Sequence, residues 1–472
     1  MNNILGKLKL NTKNPNWLEY LFPMLLWVAW LFIYKYEDFK TLTIWSINIL
    51  DCIADGQLYE FYEVVNENRY GIYHEYFGYS YLAILPWAIW NIPIWIMQRF
   101  FGMTILDSTF MLLWSHLFLI LLVGIIVYFS NKIVRIFVDD SNVTAWNTYM
   151  IITYPFIFIG VILAGQSDII AVTVAVIAVY YLLKDKQWAF LLLMSMSILV
   201  KPFFIFAYIA VILLIEKDII KIALKMAAGL VPTFLFSFIY SNAPLYQKSV
   251  DAGYGSEIIE KTLQNGIAAN ITYTAPFVII GLIVIYFCAY CINYDKSKNS
   301  KYYIIYMMVA PMFVYFCFSN YEFYRLIYMA PFLMILVAIN RKIYRLNVIL
   351  ETIFSVVGVF LVNYTLWASS VRFFNQDVMS IFGWDKDVAK CRYYCVYDVL
   401  ADIFGESLPM YQNMAAGVFV TVAAIIVVIN IPFVSKRIKQ PVVKCERWIY
   451  QLNTVALYIM MGALWMCYFI ER

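Results

Sequence analysis

The sequence predicts an all-α fold: a polytopic transmembrane helical bundle of about 11–14 spans or half-spans, with a large first outer loop bearing interfacial helices. Three observations predict it. Of the 472 residues, 64% are hydrophobic and only 14% charged, whereas a soluble domain is nearer half apolar and a quarter charged. The apolar runs are close to continuous and helix-length, as from Phe110 to Phe129, unlike the weak alternation of a membrane β-barrel. The remaining charges collect in loops between the runs. These proportions exclude a soluble enzyme, which could not cover so much apolar side chain, and a disordered chain. A net charge of +4 with dispersed Lys and Arg argues against a nucleic-acid partner.

The elements follow in order. Lys7, Lys9 and Lys13 precede an apolar helix from Trp17 to about Tyr34, with no small-residue cleavage site after it; this reads as a retained first span rather than a signal peptide. Span-length segments lie at 17–35, 107–129, 220–240, 273–294, 346–368, 413–433 and 448–470. Shorter apolar pieces at 147–164, 168–183, 188–200, 203–215, 303–318 and 326–340 suit tilted or broken helices lining a polar cavity. Asn91-Ile92-Pro93 interrupts 79–99, which reads as a re-entrant or broken pair on the outer side. In the first loop, Leu42, Trp45, Ile49, Ile53 and Leu58 repeat at roughly helical spacing over Thr41–Tyr62, an amphipathic interfacial helix that Gly56 breaks.

Sidedness follows from Lys and Arg in short loops. The tail, 295–302 (Lys296, Lys298, Lys301), 340–346 (Arg341, Lys342, Arg345) and 434–447 are basic and are assigned to the cytoplasm. Loop 36–78 carries Glu37, Asp38, Asp51, Asp55, Glu60, Glu63, Glu67 and Glu75 against only Lys40 and Arg69. It is assigned outside, with 241–272 and 369–412. The protein is therefore expected in the plasma membrane with a cytoplasmic N-terminus and an extracytoplasmic site.

Eight Cys do not make a disulfide framework. Cys288, Cys291, Cys317 and Cys467 sit in or beside apolar runs and read as small core residues. Cys391 and Cys395 share a polar loop, and whether they pair stays open. With His74 and His116 the only histidines, a His-based metal site is not expected.

The candidate chemistry lies where polar residues interrupt apolar ones. Glu37 and Asp38 directly follow the first span, where a carboxylate meets the membrane surface and can act as a general base; the competing reading is a solvated helix end. Gly165-Gln166-Ser167-Asp168 separates two short helices. Asp168 there is either a costly buried carboxylate with a function or part of a helix cap. Lys201-Pro202 interrupts an otherwise apolar stretch from Ala189 to Ile215; Pro202 breaks the helix, and the Lys suits phosphate unless it reaches an interface. Tyr321, Glu322, Tyr324 and Arg325 offer a guanidinium for a phosphate or an interfacial anchor. His74 and Glu75, between Tyr73 and Tyr76, are a weaker sugar-contact signal. No GxxxxGK[ST] or GxGxxG appears, so the energy for any synthesis must arrive in the substrate.

These features resemble the GT-C superfamily of integral-membrane glycosyltransferases, which use polyprenyl-phosphate sugars. Three stretches carry the likeness: Tyr36-Glu37-Asp38-Phe39 with Ile47 to Tyr59 behind it; Gly165 to Asp168 with Lys201-Pro202 downstream, similar to the polyprenol-phosphate-mannose branch; and Tyr321 to Pro331. The resemblance covers the first two-thirds of the chain. It implies a mannosyltransferase-like catalytic module over 1–345 that includes outer loop 36–78, followed by C-terminal transmembrane helices over 346–472 with outer loop 369–412; the region beyond residue 370 would accommodate the acceptor. It implies inverting hexosyl transfer from a polyprenyl-phosphate donor to a lipid-linked, protein or glycan acceptor in the cell envelope. Asp38 is then the base and Glu37 the second choice. Asp168 and Gln166 orient hydroxyls; Lys201 and Arg325 compensate the departing phosphate; Tyr321, His74 and Glu75 line the substrate. No cofactor is expected, although some members use a divalent cation and that point stays open. Two rivals are a flippase or exporter of lipid-linked saccharides, which predicts internal repeats that are not seen, and a polysaccharide polymerase or ligase, which favours Arg-rich outer loops. Residues 369–412 hold only Arg372 and Arg392.

Overall fold

The computed structural model describes residues 13–67, 80–103, 108–243, 245–246, 260, 262–268, 273–319, 322–365, 369–439 and 446–470. Among them the fold is helical apart from one antiparallel pair, Gly266–Ala268 against Thr274–Pro276. Six helices are long and apolar enough to cross a membrane: Thr109–Phe137, Ile219–Tyr240, Lys298–Phe318, Arg341–Val362, Val396–Ile429 and Arg447–Phe469. Ser141–Thr153 and Pro155–Leu163 form a further pair bent by 49°. Pro155 lacks an N–H and fixes the bend. These are the helices of an integral membrane protein.

Several lengths differ from the sequence reading. The expected spans 17–35 and 273–294 are shorter helices, Trp17–Ile33 and Phe277–Cys291. The piece at 303–318 is longer, because Ser297 caps a helix that begins in polar sequence at Lys298. The expected interfacial helix is a helix, but it begins at Glu37 rather than Thr41, ends at Ala54, and is buried nearly all round: Phe39, Thr43, Ile47 and Asn48 are as buried as Leu42 and Ile49. It is a core helix rather than a surface-lying one. Gly56 ends it, with φ +71, a left-handed conformation that costs glycine least. At 79–99 the break falls at Asn91, between Leu85–Trp90 and Ile92–Phe101.

The chain packs as two units interleaved in sequence. One comprises Met1–Tyr36, Val127–Ala164 and Glu322–Arg472, the other Glu37–Ile126 and Gly165–Tyr321. The division expected at 345/346 follows where recognisable motifs stop, and packing partitions the chain differently.

In the first unit, Trp17–Ile33 and Glu446–Phe469 run side by side in the same direction. Arg447 Nε and Gln451 Nε2 both donate to Glu19 Oε1, at 2.6 and 2.8 Å. Tyr458 donates to the Phe22 carbonyl at 2.7 Å. Beyond their far ends, one loop receives both chains: the Lys35 N–H donates to the Phe373 carbonyl at 2.7 Å and the Arg392 N–H to the Ile470 carbonyl at 2.9 Å. A buried amide cluster closes elsewhere in this unit, with Asn340 and Asn347 donating to Asn430 Oδ1 at 2.8 and 3.0 Å and Asn430 donating back to Asn347 at 2.8 Å.

In the second unit, Asp168–Leu183, Gln187–Val200, Ile205–Ile215, Ile219–Tyr240, Phe277–Cys291 and Lys298–Phe318 alternate in direction. One end gathers Leu183, Gln187, Glu216, Ala289 and Lys301: Lys301 Nζ donates to the Leu183 carbonyl at 2.7 Å, Lys217 Nζ to that of Ala289 at 3.1 Å, and Lys225 Nζ reaches Gln187 at 3.5 Å and Glu216 at 2.8 Å. The opposite end therefore holds the two polar breaks, Gly165–Asp168 and Lys201-Pro202.

Candidate functional site

Gly165 builds the site. Its φ is +55, and a Cβ there would lie 2.4 Å from the Phe39 ring, so no larger residue fits. This approach lays the 165–168 turn against the first turn of the Glu37–Ala54 helix. Gln166 Nε2 then donates to Asp38 Oδ2 at 3.4 Å. Phe39 is held from other sides, with its ring centroid 3.7 Å from that of His116 and 5.5 Å from that of Trp87. His116 Nδ1 lies 3.1 Å from the Leu112 carbonyl, so that nitrogen carries the proton.

Asp168 opens the Asp168–Leu183 helix, where a carboxylate is favoured by the exposed N–H groups of the first turn. Capping does not explain the local sequence: Ser167 occupies the cap position and makes no side-chain cap bond. Asp168 Oδ2 lies 3.9 Å from Lys201 Nζ, with the two side chains 1% and 3% exposed. Lys201 ends the Gln187–Val200 helix in extended conformation, its N–H donating to the Ser197 carbonyl, and Pro202 starts the next turn. A buried Lys is tolerated beside a carboxylate and costly alone.

The helix that carries Asp38 is tied along its length. Asn91 donates to Ser46 at 2.8 Å and accepts from Ser115 at 3.2 Å. Trp95 Nε1 and Arg99 donate to Asp51 at 2.8 and 3.1 Å, and Arg99 also reaches Asp55 at 2.6 Å. The Asp55 and Asp51 carboxylates push the guanidinium of Arg99 further above its ordinary value.

Asp38, Gln166, Asp168 and Lys201 thus belong to one unit and are joined in pairs. Glu37 belongs to it too but is exposed, and its carbonyl accepts from Thr41 at 2.9 Å. Arg325 belongs to the other unit, half-buried on the 3-10 turn Phe323–Tyr328, which packs through Ile327 against Gly160 of a π-helical turn, Ile159–Leu163. Tyr321, His74 and Glu75 lie outside the described residues. Sequence reasoning missed Phe39 and His116, since a ring filling the space left by a distant glycine leaves no mark in local spacing.

Among the described residues no three His, Cys, Asp or Glu side chains come together as a metal site would require. No protein-family model and no curated protein matches the chain.

Proposed function

We propose that the protein is an integral-membrane glycosyltransferase that moves a hexose from a polyprenyl-phosphate sugar to an acceptor hydroxyl on the extracytoplasmic face of the plasma membrane. One observation carries this reading. A half-buried carboxylate, Asp38, is held at the start of a rigid helix by Gln166, and the same unit keeps a buried Asp168–Lys201 pair at the end where its helices break. Such intramembrane charges are costly and persist where they act.

In the chemistry that follows, Asp38 accepts the proton of the acceptor hydroxyl as its oxygen attacks the anomeric carbon. The bond from that carbon to the phosphate oxygen breaks, and polyprenyl phosphate leaves with the electron pair. Attack opposite the leaving group inverts the anomeric configuration. Gln166 fixes the orientation of the base. Glu37, exposed to solvent, is the poorer candidate. Lys201 is paired with Asp168, so the pair adds little net charge toward the phosphate; its role is to hold the Asp168 carboxylate in place as a hydrogen-bond acceptor for hydroxyls. The basic short loops and the acidic first loop support the assignment of faces.

The test is transfer in vesicles supplied with polyprenyl-phosphate sugar. Asp38→Asn should lower the rate by about 10²–10⁴-fold, the usual contribution of a general base, with the protein still inserted and monodisperse. Full activity in that variant overturns the assignment of the base.

A further inference from the structure

In the first unit, the loop that receives the ends of Trp17–Ile33 and Glu446–Phe469 carries an apolar tip. Ile381 is 77% exposed, Phe382 57% and Trp384 42%. The Phe382 and Trp384 rings stack at 5.0 Å. Gly383 turns the chain between them with φ +66. A solvated loop of Ile-Phe-Gly-Trp would leave a contiguous apolar patch in water, which soluble surfaces avoid.

The level of this tip is fixed by what it touches. Trp384 packs edge-on against Trp465 at 5.8 Å and Phe469 at 6.2 Å, in the last two turns of a span-length apolar helix. Tyr468 donates to the Trp384 carbonyl at 2.9 Å. Lys386 Nζ sits 5.3 Å from the Phe469 ring centroid and reaches its carbonyl at 3.4 Å. On the same helix Met466 is 61% exposed. The tip is therefore continuous with the outward-facing apolar surface of a membrane span, at the depth where that span ends. Trp and other amphipathic rings collect at this depth in a bilayer, with Lys beside them reaching toward the headgroups.

We infer that Ile381, Phe382 and Trp384 form an interfacial anchor inserted into the lipid bilayer beside the last span, holding the 369–395 loop at the membrane surface. The partner is the acyl–headgroup boundary of the lipid. Asp385 and Asp387 flank Lys386, so the anchor is driven by apolar burial rather than by anionic headgroups.

The experiment places p-benzoylphenylalanine at position 382 of the full chain in phosphatidylcholine vesicles, with and without phosphatidylglycerol, and identifies photoadducts by mass spectrometry. The same probe at Met466 sets the yield for a lipid-facing site. Lipid adducts at 382 within about threefold of those at 466, and insensitive to phosphatidylglycerol, are expected for shallow apolar insertion. Absence of lipid adducts at 382 while 466 gives them overturns the inference, as does crosslinking at 382 to a second copy or to another protein. A yield that rises steeply with phosphatidylglycerol overturns the apolar mechanism. The probe at Ile381, whose side chain is mostly exposed already, repeats the test should the 382 variant fail to fold.

Discussion

Two buried polar clusters, one in each unit, are built in opposite ways. In the first, Asn340, Asn347 and Asn430 close on one another at 2.8–3.0 Å, and Glu351 accepts from Ser355 at 2.7 Å and Asn453 at 3.0 Å. In the second, Asp38 meets Gln166 at 3.4 Å and Asp168 meets Lys201 at 3.9 Å. Short contacts among the Asn340, Asn347 and Asn430 amides pair donors with acceptors and fix a packing. The longer contacts of the second set each bring a charged group to a place where helices break. The first arrangement serves the fold; in a glycosyltransferase of the kind proposed, the second presents its polar groups to a substrate.

The sharpest way to break that contrast is to disable one member of each set. Asp38→Asn should remove about 10²–10⁴-fold of sugar transfer with little change in stability. Asn430→Leu should do the reverse. It leaves the Asn340 and Asn347 amides facing an apolar side chain, at about 1–3 kcal/mol for each unsatisfied group, while transfer per folded molecule is kept. Thermal scans and vesicle assays on both variants check this. A stable but inactive Asn430→Leu protein would erase the distinction.

Lys201 divides the structural from the functional share of its own pair. Lys201→Met strands the Asp168 carboxylate in a buried site, at a cost of about 3–5 kcal/mol. The double variant Asp168→Asn, Lys201→Met removes both charges and should regain most of that stability. Transfer should stay low in it, because the carboxylate that orients the hydroxyls is gone. Recovery of transfer along with stability would make the pair a piece of packing only.

Much of this layout was legible in the sequence, and what was missed has a physical reason. Gly165 to Asp168 and Lys201-Pro202 stand out because charge and proline inside apolar runs are costly whatever the fold. The presence of a helix after the first span was also readable, although it begins at Glu37 rather than Thr41. That the Glu37–Ala54 helix is buried was not: Ser46, Asn48 and Asp51 look like a polar face, yet each occupies the interior, and Asn91 serves Ser46 while Trp95 and Arg99 serve Asp51. Partners 44 to 48 residues away leave no periodicity. The length of Lys298–Phe318 was underread because its first turn is polar. The fit of Phe39 to Gly165 depends on absent atoms, which a residue pattern does not record.

That fit yields a milder test. Gly165 and Gly102 share a left-handed backbone, φ +55 and +63, but a Cβ at Gly102 meets nothing within 4 Å. Gly102→Ala should cost only the conformational share, about 1–2 kcal/mol. Gly165→Ala should cost about 1–3 kcal/mol more for overpacking against Phe39, and it alone should slow transfer, by displacing Gln166 and the turn that bears it from Asp38. Equal losses in the two variants would show that the contact does not hold the turn.

The smallest effect belongs to the far end of the second unit, where Glu216 pairs with Lys225 at 2.8 Å with both side chains 18% exposed. The Lys225 ammonium, helped by the Asp218 and Lys217 backbone N–H groups, pulls the Glu216 carboxyl down to about 2 from an ordinary value of 4.5. A carboxylate depressed in the folded state stabilises above its unfolded pKa, and that stability is lost as pH falls through the folded value. Glu216→Gln should therefore lower stability at pH 7 by about 0.3–1 kcal/mol, the range of a partly exposed ion pair. The gap to the parent should close between about pH 4.5 and pH 2. Transfer at pH 7 should be unchanged, since this pair sits where the helices turn back rather than where they break. A gap in unfolding temperature that persists unchanged at the acid end would assign the loss to the side chain's packing instead of its charge.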